Sequence, residues 1–301
     1  MTSLPWLWIP ITVWAAFAQT VRNAAQRHLT ADLGTLGATL VRFFYGVPFA
    51  GLWLFGVESV GHAPFPHASF TFVAWLLMGC VTQIGATALL LRTMQERNFA
   101  LGVAYSKSEV LQVAVFGLLF LRDPITFGAA LAVAAGTLGV FLLSPGWRTA
   151  WTSRTAALGL GCGALFALSA VGYRGAELSL GAGSADSSFV MAAAFTLFIA
   201  QIVQSFLLGG WLLVRSPDVV KRVLKAWRVS LFAGFMGAAA SAGWFTAFAI
   251  EPVAHVRTLG LIELVFSYAV SMKLFREKLT STELAGMALL AVGVAIITVA
   301  R

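Results

Sequence analysis

Apolar residues arrive in long continuous runs, each ended by a charge, a proline or a glycine, and never in the alternation of a half-buried strand. The runs cover about residues 5–28, 33–56, 69–91, 98–121, 124–143, 155–178, 187–214, 228–250, 253–275 and 281–300. At roughly 20 residues, each is long enough to cross the hydrocarbon of a bilayer as a helix. Strands could do so only as a closed barrel, whose segments alternate, so continuous runs exclude them. The pattern predicts an all-α membrane protein of ten transmembrane helices.

Composition agrees with lipid as the solvent. Of 301 residues, 59% are hydrophobic and only 11% charged, against about 25% charged in a soluble domain. The mean hydropathy is +0.87. No large soluble domain fits beside ten spans. The formal charge of +8 does not point to nucleic acid, because the basic residues sit in short clusters between apolar runs. The segment Met1–Pro5 lacks the basic flank of a signal peptide, and the run behind it exceeds an h-region, so it reads as the first span. Cys80 and Cys162 lie inside apolar runs without C-x-x-C spacing and read as packing residues.

Basic residues also orient the chain. Arg27, Arg92, Arg97 and Arg148 follow odd-numbered runs in the first half, and Lys221, Arg222, Lys225, Arg276 and Lys278 do so in the second. Only Arg122 and Arg301 flank the runs on the opposite side. The positive-inside rule then puts the odd-numbered connections in the cytoplasm and both termini outside.

An internal repeat emerges at an offset of 154 residues. Leu121-Arg122-Asp123-Pro124-Ile125-Thr126 falls on Phe275-Arg276-Glu277-Lys278-Leu279-Thr280, Gly139-Val140 on Gly293-Val294, and Glu109 on Glu263. Five helices is an odd number, so the second copy enters the membrane from the opposite face. Such inverted repeats build the central site of many secondary transporters.

At these junctions the chain resembles the EamA-type branch of the drug/metabolite transporter superfamily. The matching residues are Asp123, Ile125-Thr126 and Gly139-Val140, then Glu277, Leu279-Thr280, Gly286 and Gly293-Val294. Asp123-Pro124 replaces the usual Glu, and no glycine in the first half matches Gly286. The resemblance implies two five-helix repeats, residues 1–143 and 155–301, joined by a cytoplasmic linker at 144–154. It further implies a multi-pass protein of a bacterial inner membrane, with periplasmic termini, that exports small polar or amphipathic metabolites. Amino acids come first and nucleosides, vitamins or drugs are the alternatives. The acids Asp123 and Glu277 read more simply as helix starters, since Thr280-Ser281-Thr282-Glu283 has capping-box spacing and Pro124 suits a first turn.

Polar groups within spans are costly and mark the solute path. On the first span Gln19, Arg22, Asn23 and Gln26 share a face with Thr12, and on the fourth Tyr105, Ser108, Glu109 and Gln112 do the same. Glu263 continues into Ser267 and Ser271 on the ninth. Either the two carboxylates face a cavity, binding an amino group or a proton, or they pair with Lys107, Arg22 or Arg257 and lock helices together. Lys107, two positions from Glu109 and so about 200° around a helix, is expected on another face. Arg42 could hold a substrate carboxylate or bond a neighbouring helix. Deep aromatics Trp14, Tyr173 and Trp244 join Tyr105 as walls for an apolar part, and Gln83 adds polar lining.

No cofactor, metal or ATP motif is present: His28, His62, His67 and His255 are scattered, and there is no phosphate-cradling glycine loop. The sequence therefore reads as a carrier rather than an enzyme, working on a small molecule with a proton or counter-substrate as coupling partner. Ten helices could enclose such a site in a monomer. A channel is the competing reading.

Overall fold

The computed structural model describes residues 6–61, 65–96, 103, 106–123, 126–143, 154–182 and 188–274, with isolated positions beyond. Every regular element among them is helical. Six stretches are long and apolar enough to cross a membrane: Trp8–Gly61, Phe70–Gln95, Ala157–Ser179, Phe189–Arg215, Trp227–Ile250 and Val253–Lys273. The burial pattern is that of a protein in lipid. Phe70, Val60, Val214 and Phe206 are more than four-fifths exposed, whereas Arg22, Arg42, Lys107, Glu109 and Glu263 are buried.

The first two apolar runs form α1 (Trp8–Phe44) and α2 (Val47–Gly61), with a sharp bend inside α1 at Gly34 (φ 70°, ψ 172°), a conformation open to glycine. Gln26 Nε2 donates to the Ala38 carbonyl at 2.7 Å, yet twelve residues of straight helix span about 18 Å. The chain therefore doubles back at Gly34. The first helix runs about five residues beyond the expected end at 28, because Leu29 and Leu33 find buried positions on its continuation.

Next come α3 (Phe70–Glu96) and α4 (Glu109–Phe116), which widens into a π-helical turn, Gly117–Leu121. Then follow α5 (Phe127–Leu143), α6 (Arg154–Ser179) and α7 (Phe189–Arg215). The basic connection after the seventh run is itself a helix, α8 (Pro217–Lys225), started by Pro217 and amphipathic. Val223 is buried while Lys221, Arg222 and Lys225 are exposed. The chain closes its described part with α9 (Trp227–Ile250), α10 (Val253–Leu259), a 3-10 turn at Gly260–Ile262, and α11 (Glu263–Leu274). Most of the tenth run, the second junction at 275–284 and most of the linker lie outside the described residues.

Small residues decide which helices meet. α3 lies along α6, α1 along α9, α2 on α7 and α4 on α10. A side chain at Gly172 would meet the backbone of Gly79, and one at Gly243 would meet Ala15 and the Ile11 carbonyl. Both cysteines are buried and unbridged in this packing.

Two runs expected as continuous helices are broken. In the fourth, Lys107 and Ser108 form a turn ahead of α4; in the ninth, Gly260–Ile262 separates α10 from α11. Gly163 of α6 packs against the first break, where a side chain would collide with the Glu109 amide, and Gly260 packs under the Trp244 ring. Hydropathy gives no sign of the second break, where the run stays apolar through Gly260-Leu261-Ile262, whereas the first falls in the polar stretch Ser106-Lys107-Ser108-Glu109.

Candidate functional site

The polar stripe of α1 and the two broken segments converge on one buried network. Glu263, the first residue of α11, accepts from Gln19 Nε2 at 2.7 Å, Asn23 Nδ2 at 3.1 Å and Lys107 Nζ at 2.6 Å. Lys107 Nζ also reaches Glu109 Oε1 at 3.3 Å. Glu109, the first residue of α4, faces Arg257 Nη1 at 3.6 Å as well. Each carboxylate thus sits beside a cation. The guanidinium of Arg257 stands over Trp244, 4.6 Å from the ring centre, and the indole N–H of Trp244 donates to Gln19 Oε1 at 2.9 Å. Arg22 Nη2 donates to Asn23 Oδ1 at 2.6 Å, so Asn23 bridges an arginine to Glu263.

This geometry corrects the expectation for Lys107. Its 200° offset from Glu109 holds only in an unbroken helix; the turn at 107–108 lets its ammonium swing onto both carboxylates. The same turn ends the stripe expected from Tyr105 to Gln112, since α4 begins at Glu109. Both acids are paired within the molecule, with Lys107 and Arg257. Arg22 reaches Glu263 only through Asn23.

A second buried cluster lies between α3, α6 and α7. Tyr173 O–H donates to Gln83 Oε1 at 2.7 Å, while Gln204 Nε2 donates to Gln83 Oε1 at 2.7 Å and to the Tyr173 oxygen at 2.9 Å. The Tyr173 ring packs on Phe245, with centroids 4.3 Å apart. One turn along α3, Thr87 Oγ1 accepts from Arg42 Nη1 at 2.9 Å. Replacing Tyr173 with Phe removes one hydroxyl from this closed triangle. A loss of about 1 kcal/mol of stability is expected, readable as a lowered melting temperature with unchanged monodispersity.

A solved structure shares this fold. It is described only as "Crystal structure of protein" and superposes with a TM-score of 0.69 over 97% of this chain and 96% of its own, at 14% identity. No family model and no curated protein matches the chain.

Of the residues singled out in the sequence, Gln19, Arg22, Asn23, Glu109, Trp244 and Glu263 meet in the first network, and Gln83 and Tyr173 in the second. Gln112 is half-buried on α4, and Ser267 is fully buried one turn beyond Glu263. Neither the Gln112 carbonyl oxygen nor the Ser267 hydroxyl meets a partner among the described residues. Trp14 stands apart: it is 49% exposed and packs beside Phe17. It lies two residues from Thr12, about 200° from the polar stripe, and so faces outward. Trp8, near the start of the first run, is enclosed in the core at 1% exposure. Tyr105 lies outside the described residues.

Two groups were missed. Gln204 sits in a run otherwise read as plain span, although its polarity alone marks it. Asp123, read as a helix starter, receives Arg174 Nε at 2.9 Å and Nη2 at 3.1 Å. Arg174 also donates to the Phe248 and Glu251 carbonyls, tying α6 to the end of α9. Among the described residues no three His, Cys, Asp or Glu side chains gather as a metal would require.

Proposed function

We propose that the protein is a secondary transporter of the EamA type within the drug/metabolite transporter superfamily. Ten spans form two inverted halves, residues 1–143 and 155–301, that move small polar or amphipathic metabolites by alternating access. Amino acids are the first solutes to try and export is the direction. The observation that carries this reading is the matched pair of broken helices, which present Glu109 and Glu263 to one buried network. Discontinuous helices near the centre of the membrane are the recurrent means by which inverted-repeat carriers build a solute site.

The helix pairing supports the repeat. Under a two-fold operation that sends each run to the one five further on, the first and eighth exchange with the sixth and third. Those are the pairs α1 with α9 and α3 with α6. The contacts of α2 with α7 and of α4 with α10 map onto themselves. The breaks obey the same operation, since Ser106-Lys107-Ser108-Glu109 falls at the 154-residue offset on Gly260-Leu261-Ile262-Glu263. The exposed cations of α8 suit the anionic cytoplasmic leaflet, in keeping with periplasmic termini in a bacterial inner membrane.

In this reading the ion pairs of Lys107 with Glu263 and of Arg257 with Glu109 hold the halves together around an occluded centre. Solute or protons loosen them by competing for the same groups. Proteoliposome counterflow with a panel of labelled amino acids and metabolites tests it. A carrier gives saturable uptake and a transient overshoot driven by unlabelled solute inside. Uptake that never saturates and shows no overshoot would instead indicate a channel.

A further inference from the structure

The pairing inside the network leaves a charge imbalance. Among the described residues, the charged side chains Arg22, Arg42, Lys107 and Arg257 are buried around the α1, α4, α10 and α11 contacts against Glu109 and Glu263. The two carboxylates are engaged by Lys107 and Arg257. Among the described residues, Arg22 and Arg42 have only neutral hydrogen-bond partners, the Asn23 amide oxygen and the Thr87 hydroxyl. Nε and Nη1 of Arg22 and Nε of Arg42 meet no acceptor among the described residues.

The two arginines also share one place. A side-chain carbon built on Gly237 of α9 would lie 3.2 Å from Arg42 Cγ and 3.4 Å from Arg22 Cδ. They sit on the two arms of the hairpin bent at Gly34, in register with the Gln26–Ala38 bond four residues closer to the bend on each arm. Glu177, a buried acid on α6, is too far away to neutralise them. It lies twelve residues beyond Leu165, which packs at Gly85 beside the level of Thr87, a distance of about 18 Å along the helix. Two like charges held together away from water repel each other and forfeit hydration, so the arrangement is stable only with a counter-charge.

We infer that Arg22 and Arg42 form an oxyanion site, and that the transported solute carries a carboxylate or phosphate group. The inference rests on the carrier reading for its transport consequence, but not for binding. Among the described residues, Nε and Nη1 of Arg22 and Nε of Arg42 are left for the oxygens of such a group, planar guanidinium donors that a lone ammonium would not supply. Gly237 lets the aliphatic stems of both arginines pack closely against α9, since a side-chain carbon there would press on them. The anion brings the missing negative charge, and Asn23 connects its arrival to Glu263 and so to the Lys107 and Arg257 pairs.

The test is thermal stabilisation and equilibrium binding of the full chain in nanodiscs with succinate, inorganic phosphate, alanine and putrescine. Succinate or phosphate is expected to raise the melting temperature while putrescine does not, and which of the two does so identifies the acid. Arg22→Gln and Arg42→Gln are expected to weaken anion binding at least about tenfold, with Arg42→Lys intermediate because it keeps charge but loses the fork. Should either variant fail to fold, the native panel decides: no protection by any anion, or protection by putrescine, overturns the inference. Counterflow of neutral or cationic solutes without anion binding would overturn it while leaving the carrier reading intact. Anion binding without counterflow of any solute would uphold the site and overturn the carrier.

Discussion

Replacing Glu263 with Gln is expected to reduce the initial rate of counterflow by at least about tenfold, equivalent to ~1.4 kcal/mol of barrier, and to alter its pH profile. Glu263 is the hub of the buried network, accepting from Gln19, Asn23 and Lys107 at once. The amide keeps the shape and one acceptor oxygen, so helix packing around Ser267 and Trp244 should survive. What it removes is the charge that balances Lys107, whose remaining acidic partner is Glu109 at 3.3 Å. Taking one partner from a buried pair leaves the other uncompensated, a change worth about 3–5 kcal/mol in soluble proteins. The ammonium is then expected to shift wholly toward Glu109, biasing the molecule toward one arrangement of the halves. Rates and pH profile in proteoliposomes, beside a size-exclusion check, read this out. A Glu263→Gln protein that transports at the native rate with the native pH profile would make the network purely structural.

The largest effect on stability is expected at Gly172. A side-chain carbon there would lie 2.8 Å from the Gly79 nitrogen and 3.0 Å from the Trp75 carbonyl oxygen. These are backbone atoms of α3, which cannot rotate away. Gly172→Leu therefore forces α3 and α6 apart along their whole contact. Overpacking of this kind costs about 1–3 kcal/mol where side chains can yield, and more where they cannot. The expected outcome is loss of a monodisperse purified protein or a fall of many degrees in melting temperature. Gly210, on α7, is the control, because nothing lies within 4 Å of a carbon built there. Gly210→Ala is expected to be neutral or slightly stabilising, since Ala is the better helix former. Equal behaviour of the two variants would contradict the packing described for α3 and α6.

The sequence reveals much of this arrangement, and its failures have physical causes. Apolar runs predict helices because lipid forbids unsatisfied backbone, and the described helices fall on the predicted runs except α8, which forms in the basic connection after the seventh. The α1 stripe of Gln19, Arg22, Asn23 and Gln26 was legible because four polar residues at helical spacing in an apolar run demand a common buried face. The partners were less legible. Lys107 reads as misplaced because an unbroken helix would put it about 200° from Glu109, and the polar stretch Ser106-Lys107-Ser108-Glu109 marks a cluster without saying that it turns. Trp14 looked central because depth along the span was read without its direction around the helix. Asp123 looked local because its partner, Arg174, is far away in sequence and nothing nearby reveals the contact. Gly172 and Gly79 illustrate the reverse case, in which small residues in long spans announce close approach without naming the partner.

The central claim is that one buried centre opens to each face in turn. Its most direct test is accessibility of the Ser267→Cys variant, one turn beyond Glu263, in a chain whose Cys80 and Cys162 are replaced by Ala. Membrane-impermeant thiol reagents would be applied separately to each side of oriented vesicles. The account predicts labelling from either face alone, slowed when a transported solute or the Glu263→Gln change holds one arrangement. A position that no reagent reaches, or that reacts from one face only under every condition, would contradict it.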